Sequence, residues 1–197
     1  MGTQGLRADA AHNRERILAV ARELLAERGA DVPMDEVARR AGVGIATLYR
    51  RFPTRESLVQ AGMVDIMEGF GAAITEAKEA EDAAGAFLAL IERARRLQMT
   101  HRGFSDAMCR DAPGFEEMKQ RLHEDLLVIV GRATRAGLLR EDFAPLDFMG
   151  IMLGHAGLIA GACEGDDVDA FSRRYMAVQL AGYAPGGPEL PAAPGWR

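Results

Sequence analysis

Cysteines are scarce in this sequence, and the two that occur lie far apart. Cys109 and Cys163 form no C-x-x-C pair, so the sequence indicates neither a disulfide framework nor a zinc site. We expect both to be buried apolar side chains. The segment from Met1 to Asn13 is polar, and no apolar h-region follows it. No secretory signal peptide is therefore indicated, and the expected location is the cytoplasm.

The sequence also lacks an apolar run long enough for a membrane span. The segment from Phe148 to Cys163 has sixteen residues, with His155 as its only clearly polar member. A spanning helix needs about 20 apolar residues, so we predict a buried helix and no membrane partner. Glycines recur along this segment at helical spacing, at positions Gly150, Gly154, Gly157 and Gly161. Such spacing lets another helix approach closely, which indicates a core or subunit interface.

Signatures of catalysis are absent as well. Four histidines occur, His12, His101, His123 and His155, but the sequence contains no H-E-x-x-H, G-x-S-x-G, glycine-rich phosphate loop or acidic calcium loop. We therefore predict no enzyme, and assign no catalytic residue, no metal ligand and no cofactor. An enzyme remains the alternative, and it would lose turnover when His101 or His155 is replaced.

Helical periodicity dominates what is present. Apolar residues recur three and four positions apart, and no stretch alternates with period two, so we predict an all-α fold. The predicted helices are 14–28, 33–41, 45–52, one that is capped by Thr54 and runs past Met67, 83–99, 104–110, 113–136, 145–163 and 168–183. Asn13 is the expected N-cap of the first helix, and Gly29 lies just past its end.

Two short helices joined by a tight turn are the most informative local pattern. The turn Gly42-Val43-Gly44 is too short for any other structure, and the helix after it, 45–52, carries polar residues on its surface. This arrangement describes a helix-turn-helix, whose second helix enters the DNA major groove. The residues expected to fill the space between the two helices are Ala38, Val43 and Leu48. The alternative is an ordinary helical hairpin with a solvated arginine face.

The charge distribution favours DNA binding locally, although the net charge is −5. Residues 1–60 hold ten arginines and eight acidic residues, and the rest of the chain holds fourteen basic and twenty-one acidic residues. Between Arg39 and Arg55, five arginines occur without an acidic residue. A local excess of this kind can bind phosphate within an acidic protein.

Eight residues are predicted to contact DNA: Gly44, Ile45, Ala46, Thr47, Tyr49, Arg50, Arg51 and Arg55. Arg50 can pair with guanine O6 and N7, and Thr47 can reach a base or a phosphate. Tyr49, Arg51 and Arg55 suit backbone phosphates. Because one short helix reaches few base pairs, we expect a twofold homodimer on a pseudo-palindromic double-stranded operator.

The run MDEVARRAGVGIATLYRRFPTRESL, from Met34 to Leu58, closely resembles the DNA-binding domain of the TetR/AcrR family of transcriptional regulators. The resemblance implies that positions 45–51 lie on the recognition helix and that Arg55 takes the place of a phosphate-binding lysine. It also implies a dimer, an all-helical ligand domain and repression that a ligand relieves. Gly44, Arg51 and Met34 depart from the residues frequent in that family, which changes phosphate contacts without removing the fold.

The remaining helices are predicted to bind a small-molecule effector and to form the dimer. Flexible apolar side chains suit a pocket, and His155 supplies a polar group among them. The candidate ligand residues are Phe87, Met99, Phe104, Met108, Cys109, Met118, Leu122, Phe148, Met152 and His155. The predicted domains are 1–54 (helix-turn-helix with a flexible N-terminal arm), 55–184 (ligand binding and dimerisation) and a disordered tail, 185–197. A purely structural core, in a regulator without an effector, is the alternative.

Overall fold

The computed structural model describes residues 3–101, 104, 116–163, 165–187 and 190–191, except for the side chains of residues 3–11 and Met118. All regular structure in these ranges is helical, which confirms the all-α prediction. The helices are α1 (Thr3–Arg28), α2 (Met34–Arg40), α3 (Ile45–Arg51), α4 (Arg55–Glu79), α5 (Ala83–Thr100), α6 (Glu116–Arg135), α7 (Pro145–Ala160) and α8 (Val168–Gly182).

The first helix begins earlier than its apolar stripe indicates. It starts at Thr3, so Asn13 lies inside α1 and is not its N-cap, and the predicted flexible arm is helical from Thr3 onward. The early turns carry three alanines, which favour a helix on propensity alone and leave no periodic signal. The end of α1 agrees with the prediction, because Gly29 has a φ of 71° and its N–H donates to Leu25 O at 3.0 Å.

The apolar segment in the C-terminal half ends sooner than predicted. Helix α7 stops at Ala160, with Gly161 as its C-cap. Cys163 lies beyond the helix and is exposed, so the prediction that it is buried was wrong. Cys109 and most of the predicted helix 104–110 lie outside the described residues, as does much of the predicted disordered tail. No described helix is both long and apolar enough to cross a membrane.

The chain divides into two compact units within α4. Unit 1 comprises the described residues of Met1–Met67 and Thr100–Phe115, and unit 2 those of Glu68–Met99 and Glu116–Arg197. The division follows Met67, whereas the sequence-based limit was drawn after residue 54. Helix α4 is continuous from one unit into the other.

Each unit has its own apolar core. In unit 1, α1, α2, α3 and the first turns of α4 bury the aliphatic side chains Ile17, Leu24, Leu25, Val32, Val37, Leu48 and Leu58. In unit 2, the buried side chains include Phe87, Leu126, Ile129, Leu139, Phe148 and Ile151. The ring of Phe87 packs edge-on against Phe143 and Phe148, with centroid distances of 5.9 and 6.4 Å. Such aromatic pairs stabilise a core beyond the area that they bury.

Candidate nucleic-acid interface

The turn between α2 and α3 requires glycine at one position. Gly42 has a φ of 62°, and its N–H donates to Arg39 O at 3.2 Å while the N–H of Val43 donates to Ala38 O at 3.0 Å. These two bonds form a Schellman motif, which ends α2 at a left-handed residue. A Cβ at Gly42 would also lie 2.7 Å from Arg16 Nη2. Any side chain here would therefore be strained in its backbone and crowded by α1.

Arg16 fastens this turn to α1. Its guanidinium donates to the carbonyl oxygens of Ala41 and Gly42, the latter at 3.1 Å. These carbonyls lie at the C-terminal end of α2, where a helix lacks its own donors. The contact joins residues 25 and 26 positions apart, so the sequence pattern did not indicate it.

The start of α3 is set by Gly44 and by a buried contact beneath it. Gly44 is extended, with φ −68° and ψ 142°, and its carbonyl accepts from the N–H groups of Thr47 and Leu48 at 2.8 and 3.1 Å. Leu48 and Ala38 are buried between the helices, as predicted. Val43 is half-buried. This packing fixes which side of α3 faces outward.

Six of the eight residues that were predicted to contact DNA lie on α3, and the other two, Gly44 and Arg55, lie just before it and at the start of α4. Seven of the eight are exposed, namely Gly44, Ile45, Ala46, Tyr49, Arg50, Arg51 and Arg55, and Thr47 is half-buried. Ile45 and Tyr49 are 46% and 47% exposed, respectively. A helix of two turns that leaves both of these large side chains in water presents a surface suited to a partner.

The arginines around α3 differ in whether they have a carboxylate partner. Arg40 lies 2.6 Å from Glu36, and Arg55 lies 2.7 Å from Asp31. By contrast, Arg50 and Arg51 form no ion pair within the described part of the chain. Positive charge without a carboxylate partner is therefore concentrated in the last turn of α3. The guanidinium groups there are available to bind a phosphate or the edge of a base.

Glu36 serves a structural role in this region. It is largely buried and accepts from Arg28 of α1 at 2.8 Å and from Arg40 of α2 at 2.6 Å. Burial by itself would raise the pKa of Glu36, but the hydrogen bonds from Arg40 and Arg28 outweigh it and lower the pKa below its usual value. The ionised carboxylate thus joins α1 to α2. Neither Glu36 nor Asp31 was predicted from the sequence, because Arg28 and Arg55, the partners that join them to other elements, come from other segments.

The N-terminus of α4 is capped as the sequence predicts. The hydroxyl of Thr54 accepts from the Ser57 N–H at 3.1 Å, and the Thr54 N–H donates to the Ser57 hydroxyl at 3.3 Å. This reciprocal pair stabilises the first turn of the helix. Arg55 is the first residue of α4 and is therefore held beside a helix N-terminus, where phosphates bind readily.

Comparison with known proteins agrees with this geometry. Residues 17–61 match the family model of bacterial regulatory proteins, tetR family. A TetR transcriptional regulator from Streptomyces coelicolor is 28% identical, with a TM-score of 0.56 over 88% of this chain and 99% of that chain. The chain belongs to the TetR family. Its helix-turn-helix is thus the DNA-binding element of a TetR-family transcriptional regulator.

Two further relatives show how much of the chain this similarity covers. A helix-turn-helix-type transcriptional regulator of Staphylococcus aureus (strain USA300) is 39% identical over 54 residues, so the chain spans 29% of the length of that relative. The crystal structure of RolR in complex with resorcinol is 24% identical, with a TM-score of 0.54 over 90% of each chain. The first similarity is confined to about a quarter of this TetR-family chain, and the second shows the fold alone.

Unit 2 of this TetR-family chain brings together some of the residues that were predicted to bind a ligand. Phe87, Leu122, Phe148, Met152 and His155 are buried there, and Met99 is half-buried. Phe104 belongs to unit 1. Met108, Cys109 and the side chain of Met118 lie outside the described residues. The ligand-binding role of these ten residues stays a prediction.

His155 is fully buried, and both of its ring nitrogens have partners. Its Nδ1 lies 2.6 Å from Gln98 Oε1, and its Nε2 lies 2.7 Å from the Ser172 hydroxyl. Arg95 donates to the same hydroxyl at 2.9 Å. Burial, together with the nearby Arg95 charge, lowers the pKa of His155 to about 4. A ligand that used His155 would have to replace one of these bonds.

An open cavity of about 560 Å³ lies between α4 and α5 in unit 2. Its lining consists of Gly69, Ala72, Ala73, Glu76, Ala77, Ala80, Ala86, Ala89, Leu90 and Arg93. None of the ten predicted ligand residues is among them. The volume is within the range of small-molecule sites, and the space exists because the lining side chains are short.

Proposed function

We propose that the protein is a transcriptional repressor that binds a pseudo-palindromic double-stranded operator as a homodimer and releases it when a small apolar effector binds. The observation that supports DNA binding most directly is the outward side of α3, where exposed Tyr49 lies beside two arginines that have no ion pair in the described part of the chain. A structural helix surface would gain nothing from this arrangement, whereas a major-groove helix needs it.

Each residue of this surface has a distinct part in the proposal. Arg50 reads guanine, and Thr47 contacts a base or a phosphate. Tyr49, Arg51 and Arg55 hold the phosphate backbone and set the register of α3 in the groove. Gly44, Ile45 and Ala46, at the start of α3, permit the close approach of the helix to DNA.

The homodimer is proposed to form through α7 and α8. Leu153 on α7 and Phe171 and Val178 on α8 are about half exposed, which is unusual for large apolar side chains on two neighbouring helices. On α7, Gly150 and Gly157 are also exposed, and a Cβ at either would meet nothing within 4 Å. Small residues beside exposed apolar ones let a second copy pack closely in a four-helix arrangement.

The effector is proposed to be a largely apolar, drug-sized molecule that binds in unit 2. RolR, a protein of the same fold, is described with bound resorcinol. Two places in unit 2 are candidates, namely the predicted set around Phe148 and His155 and the alanine-lined cavity between α4 and α5. An effector that favours one spacing of the two recognition helices would shift the dimer away from DNA by its differential affinity.

The proposal is tested first by selecting duplexes from a random pool with the full chain and mapping its binding sites in a genome. Recovery of an inverted repeat supports the proposal, and equal binding to selected and random duplexes at physiological salt contradicts it. Compounds that raise the melting temperature are then tested for operator release. The variants His155→Ala and Ala89→Trp show which of the two candidate places the compound occupies, because each variant changes only one of them. If no compound stabilises the protein or releases DNA, the regulator is constitutive.

A further inference from the structure

Arg55, the proposed phosphate contact, already has an anionic partner within its own chain. Its Nη1 donates to Asp31 Oδ1 at 2.7 Å. A carboxylate and a phosphate both accept hydrogen bonds from the same N–H groups of a guanidinium. We propose that Asp31 competes with DNA phosphate for Arg55, and that this competition lowers the affinity of the protein for any double-stranded DNA. The inference rests on the proposed DNA-binding function of this surface.

The backbone holds the two residues within reach of each other. Asp31 lies in the loop between α1 and α2, next to Val32, which is fully buried and anchors the loop. The loop begins at Gly29, whose positive φ ends α1. Arg55 is fixed by the capped first turn of α4. Both residues belong to unit 1, so the pair forms within one packed body.

The exposure of the pair separates it from the structural ion pairs nearby. The Asp31 side chain is 84% exposed, whereas that of Glu36 is 17% exposed and binds both Arg28 and Arg40. Exposed pairs contribute little to stability, so loss of the Asp31 carboxylate should leave the fold intact. For the same reason a DNA phosphate can displace Asp31, but the carboxylate then remains as a negative charge close to the phosphate.

The expected effect on DNA binding is independent of sequence. Arg55 is assigned to the phosphate backbone, which is the same in every duplex, so Asp31 changes affinity without changing discrimination. Removing the negative charge of the Asp31 carboxylate should tighten DNA binding about fivefold for each protomer. Freed Arg55 also releases counterions from DNA, so the logarithm of affinity should fall more steeply with salt. In the native chain, Asp31 thus limits non-specific binding and leaves α3 to decide the site.

The test compares Asp31→Asn with Asp65→Asn in the full chain. Asp65 lies 3.0 Å from Arg22 and is also exposed, so its replacement makes the same change in net charge at another ion pair of unit 1. Affinity is measured by fluorescence anisotropy on two duplexes of about 30 base pairs, one selected by the native protein and one scrambled, at several salt concentrations. Thermal melts confirm that each variant is folded.

We expect Asp31→Asn to tighten binding about fivefold per protomer on both duplexes, and Asp65→Asn to change it less than about twofold. In an Arg55→Ala background, Asp31→Asn should tighten binding clearly less than in the native chain, because only the direct repulsion between the carboxylate and the phosphate is then relieved. Equal effects of the two asparagine variants, or tightening of undiminished size without Arg55, would overturn the inference. If the native protein does not distinguish the duplexes, sequence-specific regulation fails, and the comparison on the scrambled duplex still decides the role of Asp31.

Discussion

The Nδ1 atom of His155 lies 2.6 Å from the Oε1 atom of Gln98, and this contact sets which nitrogen of the neutral imidazole carries the proton. Gln98 donates through Nε2 to Met152 O at 3.0 Å, so its Oε1 is the acceptor. The proton of neutral His155 is therefore on Nδ1, and Nε2 accepts from the Ser172 hydroxyl. This hydroxyl oxygen in turn accepts from Arg95. The chain of bonds connects α5, α7 and α8.

The stability of unit 2 should decrease in mild acid because of this network. The pKa of His155 is lowered from 6.5 to about 4, chiefly by burial, so the folded state favours the neutral ring. The stability that His155 contributes is complete above the unfolded value and is lost as pH falls from about 6.5 toward 4. Side-chain NMR should show His155 neutral and protonated on Nδ1 at pH 5.5. A charged ring at that pH in the folded protein would contradict the assigned network.

Replacement of Ser172 by alanine tests the same network without a change in charge. Ser172 is fully buried, so the variant leaves His155 Nε2 without its donor and removes one acceptor of Arg95. We expect a loss of about 1–3 kcal/mol in the free energy of unfolding, measured with urea at neutral pH. A loss smaller than the error of the fit would mean that water replaces the hydroxyl.

Two arginines should have different effects on DNA binding. Arg50→Ala should cost on the order of 1–3 kcal/mol on the preferred duplex and relax the preference at the base pair that it reads. Arg55→Ala should weaken binding to all duplexes and flatten the salt dependence. Arg121→Ala, at an exposed position of α6, is the control and should change neither. The assignment fails if Arg50→Ala weakens selected and scrambled duplexes equally.

Gly157→Leu is a sharper test of the proposed dimer than Gly154→Leu. A Cβ at Gly154 would collide with the Tyr175 hydroxyl of the same protomer, whereas a Cβ at Gly157 meets nothing within 4 Å. Leucine at Gly157 should therefore fold and weaken dimerisation by about 1–3 kcal/mol through overpacking. Gly71→Leu, at an equally open position of α4, is the control. An unchanged dimer in sedimentation of Gly157→Leu would place the interface elsewhere.

Arg132 should stabilise unit 2 through the C-terminal end of α4. Its guanidinium donates to Ala77 O at 3.1 Å and also to the carbonyl oxygens of Lys78 and Ala80. Helix ends lack donors for these carbonyls, so Arg132→Ala should lower the free energy of unfolding by about 1–3 kcal/mol. Arg135→Ala, at an exposed position one turn later on α6, should have little effect. Equal losses in the two variants would argue against a specific role of Arg132.

Local patterns in the sequence were sufficient for the helices and for the helix-turn-helix. Gly42, Gly44 and Leu48 act through neighbours within a few residues, so turn chemistry and apolar spacing predicted the structure around them. The same holds for Thr54, whose capping partner is three residues away. Where a helix had no apolar stripe, as in the first turns of α1, periodicity gave the wrong start.

Tertiary structure decided which charges remain available and where the polar groups of the core lie. The segment from Arg39 to Arg55 contains five arginines and no acidic residue, yet Asp31 pairs with Arg55 from 24 positions away. In unit 2, His155 meets Gln98 across 57 positions, so this candidate ligand anchor is a buried group whose two ring nitrogens already have partners. Such contacts depend on how the helices pack. Periodicity along one segment reports which face is buried, but it carries no information about the side chain that another segment brings to that face.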